Sequence, residues 1–214
     1  ETDDIRHQTR TRNWTYTTLG RILSADGPRT DVADQTTYAY YPDDDPNPGR
    51  RGQLRKITNA LGHETEILDY DIHGHPIRIL DPNGLITELA YDARGRLITR
   101  VVGTRVTAYA YDAAGNLTGL TLPDGGLYTF AYDAAHRLTD IRNAQGEHIR
   151  YSLDGLGNIV AETLNDAQGH QARRLTRQYD ALGRLWKEIR RVNGQDAVTE
   201  YGYDAQGNPT LRAD

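Results

Sequence analysis

Apolar and aromatic residues recur along this chain at alternate positions, in short runs. Trp14 and Tyr16, Tyr109 and Tyr111, Phe130 and Tyr132, and Tyr201 and Tyr203 each share a parity, and threonine or arginine fills many positions between such residues. A period of two marks a half-buried strand, because successive side chains of an extended backbone point to opposite faces. The runs end at turn signals of the form Asp-x-x-Gly. There the aspartate can accept a hydrogen bond from the amide two residues on, and the glycine tolerates the positive φ that follows a type I turn in a bulged hairpin.

These hairpin tips are copies of one another. Tyr91-Asp92-Ala93-Arg94-Gly95-Arg96-Leu97, Tyr111-Asp112-Ala113-Ala114-Gly115-Asn116-Leu117 and Tyr179-Asp180-Ala181-Leu182-Gly183-Arg184-Leu185 are near replicas. Looser copies carry Tyr70, Asp71 and Gly74; Tyr132, Asp133 and Leu138; and Tyr203, Asp204 and Gly207. Starts at Tyr16, Tyr40, Tyr70, Tyr91, Tyr111, Tyr132, Leu153, Tyr179 and Tyr203 give spacings of 24, 30, 21, 20, 21, 21, 26 and 24 residues, a period near 21 with insertions. After the glycine comes Arg, Asn, Gln or His, then Leu, Ile or Pro. His136 stands where one glycine is expected, and Leu153 replaces one tyrosine. A second turn signal lies midway, at residues 59–62, 81–84, 123–126, 143–146 and 166–169. Two turns per repeat imply two strands of roughly six residues each. The expected fold is all-β, an antiparallel meander of hairpins over residues 1–214.

Composition narrows the class. A chain of 214 residues with 37% hydrophobic and 26% charged residues is compatible with a folded β domain. Only one Phe and no Met accompany 14 Tyr, so tyrosine supplies most of the aromatic surface and its hydroxyls need partners. No apolar run approaches the roughly 18 residues of a spanning helix, so no membrane insertion is expected. Without cysteine there is no disulfide, thiol nucleophile or zinc-thiolate site. The net charge is −5, and the basic residues are 23 Arg beside Lys56 and Lys187, spread through the repeats. With no concentrated basic face, nucleic acid is not an expected partner. The missing initiator Met and a start inside repeat sequence are expected of a fragment of a longer polypeptide.

The nine Tyr-Asp-x-x-Gly-[Arg/Asn]-Leu copies, with Asp-Pro-x-Gly or Pro-Asp-Gly between them, resemble the YD repeats of the Rhs family, over about residues 14–214. The family includes bacterial Rhs polymorphic toxins, shell components of insecticidal toxin complexes, and teneurins. The resemblance implies a strip of β-sheet spiralling into a hollow shell. In bacterial members the shell encloses a C-terminal toxin, made in the cytoplasm and then secreted or delivered. The implied partners are the rest of the shell, the enclosed toxin and a secretion-system spike or carrier. The competing expectation is an extracellular adhesion module, whose tyrosine rows would stack against carbohydrate.

Candidate chemistry is sparse. Pro76-Ile77-Arg78-Ile79-Leu80-Asp81-Pro82-Asn83-Gly84-Leu85 resembles the autocleavage site that closes Rhs cores, but it lies mid-chain and is also an ordinary turn sequence. Asp43, Asp44, Asp45, Asn47 and Gly49 form an acidic loop, and Pro48 and Leu54 stand where an EF-hand needs its glycine and its glutamate. His73 and His75 flank a turn glycine and lack the further ligands zinc requires. The conspicuous aspartates are accounted for as turn acceptors, and neither Ser24 nor Ser152 lies in a nucleophile-elbow pattern. The expectation is therefore no catalytic, cofactor or metal site; the repeat Tyr, Asp, Gly and Leu positions build the structure.

Overall fold

The computed structural model describes residues 11–29, 31–32, 34–192 and 194–213. Among them are 18 β-strands and no helix. The chain divides into two compact units, residues 1–106 and 107–214. The first carries β1 (Asn13–Tyr16), β2 (Ile22–Asp26), β3 (Thr36–Tyr40), β4 (Leu54–Thr58), β5 (Glu64–Tyr70), β6 (Pro76–Leu80), β7 (Ile86–Tyr91) and β8 (Leu97–Val102). Following β9 (Arg105–Tyr111), which begins at the boundary, the second carries β10 (Leu117–Thr121), β11 (Leu127–Tyr132), β12 (Leu138–Asn143), β13 (His148–Leu153), β14 (Ile159–Asn165), β15 (Gln171–Tyr179), β16 (Leu185–Val192), β17 (Gln195–Tyr203) and β18 (Pro209–Ala213). Within each unit, strands consecutive in sequence pair antiparallel, so each is a meander.

The nine repeat starts are the last residues of the odd-numbered strands. At those positions the register shifts by one residue, as between Ala90 and Tyr91 or Ala131 and Tyr132. That is the bulge the Asp-x-x-Gly turn requires, and it fixes which face each tyrosine occupies. Pro76 and Pro209 open their strands, where a missing N–H costs least.

Cross-strand rows define two unlike faces in the second unit. Phe130, Ile141, Ile149 and Leu164 are directly opposed across four strands. On the other face the row runs Asp140, Arg150, Thr163, Arg174, Arg191, Asp196. Even the apolar face is thinly covered. The buried hydrophobic residues described are Tyr70, Ala161 and Leu175, and no large side chain is fully buried. Stability therefore rests on neighbour-to-neighbour contacts within each meander.

Two short turns escape the sequence pattern. Gly103, at φ +60, joins β8 to β9, and Gly194, at φ +79, immediately precedes β17. Asn193-Gly194 is the usual hairpin dipeptide, a signal that would have identified the second. The turn expected at 123–126 is set one residue earlier, with Leu122 N–H donating to Gly126 O and Gly125 N–H to Leu122 O.

Candidate functional site

The repeated unit of chemistry is the turn between an odd strand and the next even one. In the Asp92 turn, Gly95 N–H donates to Asp92 O at 2.9 Å and Asp92 N–H donates to Arg96 O at 2.9 Å. Asp92 Oδ1 accepts from the amides of Arg94 and Arg96. Its Oδ2 accepts from Arg96 Nε at 2.8 Å. One carboxylate thus holds two backbone donors and the side chain four residues on. Asp133 with Arg137 and Asp180 with Arg184 repeat the arrangement. Asn116, Asn158 and Asn208 replace the guanidinium on Asp112, Asp154 and Asp204, and His75 Nδ1 replaces it on Asp71 at 2.9 Å. This accounts for the Arg, Asn or His at that position wherever the turn has its aspartate: the position supplies a side-chain donor. The sequence pattern identified these residues but not their task.

These bonds hold the turn carboxyls below the usual aspartate range. For Asp92, Asp112, Asp133, Asp154 and Asp204 the first cause is the side-chain donor four residues on. For Asp180 it is the Arg184 amide. At Asp71 desolvation opposes ionisation, and the hydrogen bonds from His75 and His73 outweigh it.

The tyrosines join one repeat to the next. Tyr70 Oη donates to Leu54 O at 2.6 Å, Tyr91 to Pro76 O at 3.0 Å, Tyr132 to Leu117 O at 2.9 Å, Tyr179 to Ile159 O at 3.0 Å and Tyr203 to Leu185 O at 2.7 Å. Tyr40 reaches Ile22 O in the same way. Each acceptor is the first residue of the strand after the preceding repeat turn, so the Leu, Ile or Pro position serves through its carbonyl, which proline retains. Tyr111 pairs with Leu117 at its bulge, as Tyr91 does with Leu97 and Tyr132 with Leu138. Tyr70 is 6% exposed, and desolvation pushes its phenol up to about 12.

The side chain after the glycine also reaches forward. His75 stacks on Tyr91 with centroids 4.9 Å apart, and the Arg184 guanidinium lies 4.7 Å from the Tyr203 centroid. A Cβ on Gly95 would stand 2.9 Å from His75 Nε2. At His136, whose φ is +61, Asn116 Nδ2 approaches His136 Nδ1 at 3.0 Å.

The other sequence candidates fall into the same frame. Asp81 Oδ1 accepts from the amides of Asn83 and Leu85 in a turn like the one at Asn59. In the long insertion, Asp43 pairs with Arg21, Asp45 Oδ1 accepts from Asn47 N–H, and Asn47 Nδ2 and Arg50 Nε both donate to Asp69 Oδ1. Tyr41 Oη donates to Ile67 O and Leu68 O at the irregular stretch of β5. The acidic loop is thus fastened to the next hairpin. Among the described residues no three His, Cys, Asp or Glu side chains converge as a metal-binding group.

Comparison with known proteins follows the same repeats. The teneurin YD-shell family model matches residues 50–171. Double-stranded DNA deaminase toxin A of Burkholderia cenocepacia (strain H111) is 30% identical over 158 residues, covering 70% of this chain and 10% of that protein. In the crystal structure of TcdB2-TccC3-TEV, a chain superposes with a TM-score of 0.72 at 16% identity, covering 92% of this chain and 12% of that one. A chain of the Photorhabdus luminescens Tc holotoxin pore gives 0.56 at 18% identity, covering 95% and 13%. This chain spans about a tenth of the length of the proteins it matches.

Proposed function

The chain belongs to the teneurin YD-shell family, and on that premise we propose that it is a stretch of shell wall that encapsulates a C-terminal toxin for secretion and delivery from a bacterial cell. The observation that carries this reading is the repeat-to-repeat ladder, in which the hydroxyls of Tyr40, Tyr70, Tyr91, Tyr132, Tyr179 and Tyr203 are engaged by the preceding hairpin. Such a ladder extends a wall copy by copy with no closed core. The name of the Burkholderia relative, a toxin, supports a toxic cargo. The wall's partners are the rest of its shell, that cargo and a secretion-system spike or carrier. Tyr70, Asp71, Gly74 and their counterparts have a structural task, and the segment contributes no catalytic group.

The test is limited proteolysis of the parent polypeptide. With the wall intact, the C-terminal domain is expected to survive protease doses that digest it once Tyr70→Ala and Asp92→Ala have weakened the ladder. Equal digestion rates in both proteins would overturn the encapsulation reading.

A further inference from the structure

The arginines look dispersed in the sequence, yet the register aligns three of them. Across five consecutive strand pairs the row runs Asp140, Arg150, Thr163, Arg174, Arg191, Asp196. Its two ends are neutralised: Arg150 Nε meets Asp140 Oδ2 at 3.2 Å, and Arg191 holds Asp196 through two bonds of 2.6 and 2.7 Å. Arg174, in the middle, faces Thr163 on one side and another arginine on the other. Asp196 offsets the charge of Arg191, so the row's uncompensated charge is that of Arg174, and packing alone does not call for a second arginine opposite it. Thr176, two residues on and on the same face, lines with Arg174, Ile189, Arg191 and Asp196 a shallow hollow of about 200 Å³, in which the Asp196 carboxylate is already bound to Arg191.

We propose that this hollow is an oxyanion-binding site in which Arg174, Arg191 and Thr176 receive the sulfate or phosphate group of a ligand. The Arg174 guanidinium brings a planar fork of donors to an anion. Arg191, two of whose donors are held by Asp196, supplies charge and remaining N–H groups, and the Thr176 hydroxyl supplies a donor from the floor. Three donor groups from two strands suit a tetrahedral anion, which offers acceptors in several directions, better than a planar carboxylate. An anion there also offsets the charge of Arg174, so binding and local stability are coupled.

The experiment is NMR titration of this chain at low ionic strength with sodium sulfate, sodium phosphate and, as the planar control, sodium acetate. Saturable shifts confined to residues around Arg174, Thr176 and Arg191 are expected for sulfate and phosphate, with acetate weaker. R174Q is expected to lower the affinity about tenfold, as loss of a charge-assisted contact should, and T176V by a smaller factor. R55Q, on an ion pair in the other unit, is expected to leave it unchanged. Phenyl sulfate and phenyl phosphate then distinguish a sulfate ester from a phosphate ester as the source. Unsaturable shifts, unchanged affinity in a folded R174Q variant, or acetate binding as tightly as sulfate would overturn the site.

Discussion

The two rims of each sheet are built from nearly the same turn but are tied to their surroundings differently. On one rim lie the repeat turns that follow the odd strands, such as those at Asp71, Asp92 and Asp133. On the other lie the midway turns, such as those at Asn59, Asp81 and Asn143. Both kinds bind the amides two and four residues on through one side-chain oxygen. At the repeat rim the same turn also orients a side chain that reaches the next repeat, as His75 does to Tyr91 and Gly95. A Cβ on Gly84, on the other rim, would meet nothing within 4 Å. Local sequence closes both turns; the repeat rim adds side-chain hydrogen bonds and ring contacts from hairpin to hairpin, whereas on the midway rim Gly146 lies against the Ala167 backbone without such a bond.

Acid is the broadest way to break that difference, because it acts at once on the seven repeat turns that carry an aspartate. The folded pKa values of Asp71, Asp92, Asp112, Asp133, Asp154, Asp180 and Asp204 are lowered. A carboxyl depressed in the folded state contributes stability above its unfolded pKa, near 3.9, and that contribution disappears as pH falls through the folded value. Hydrogen exchange measured down through pH 4 is therefore expected to show repeat-turn amides losing protection first, with the Asn59 turn, whose acceptor is an amide oxygen, lagging. Loss at the Asn59 turn as early as at the repeat turns would remove the distinction.

Next comes Tyr70, the most buried tyrosine anchor. Tyr70→Ala is expected to cost about 3–5 kcal/mol by urea unfolding, whereas Tyr16→Ala, at a site 55% exposed, should cost less than about 1 kcal/mol. Alkali tests the same residue. Its raised pKa favours the neutral phenol, so that stabilisation is complete below about pH 10 and is lost as pH rises towards about 12. Tyr70→Phe should abolish this part of the alkaline transition.

The glycines separate the rims most directly. Both Gly95 (φ +75) and Gly84 (φ +81) lie in the left-handed region, where a Cβ costs about 1 kcal/mol. Gly95→Ala must also displace the His75 ring from its stack on Tyr91. The expected costs are about 2 kcal/mol at Gly95 and about 1 kcal/mol at Gly84, read by chemical denaturation. Equal costs would mean that His75 yields freely.

Much of this architecture was legible because strand alternation and turn chemistry are local. Tyr91, Asp92, Gly95 and Leu97 sit at the strand end, turn and bulge that their pattern implies. What the pattern could not give was the acceptor of each tyrosine hydroxyl, 15 to 20 residues back, because that depends on the pairing of successive hairpins. The row through Arg150, Arg174 and Arg191 was hidden for the same reason: its members stand 24 and 17 residues apart and meet only through register. The fastening of the 43–50 loop to Asp69 likewise depends on an irregular β5, which no composition signal marks.

His136 offers the finest test of the coupled rim, since it occupies a glycine position with φ +61 and exchanges strain for a contact with Asn116. Glycine there relieves about 1 kcal/mol of left-handed backbone strain, offset in part by greater freedom of the unfolded chain and by loss of an exposed hydrogen bond worth about 0.5 kcal/mol. His136→Gly is therefore expected to leave stability within about 0.5 kcal/mol of the parent. His136→Ala keeps the strain and loses the bond, so it should destabilise by about 0.5 kcal/mol. The same two substitutions made in an Asn116→Ala background isolate the contact. If His136→Ala costs as much there as in the parent, the Asn116 contact contributes nothing, and the repeat rim is uncoupled at this turn.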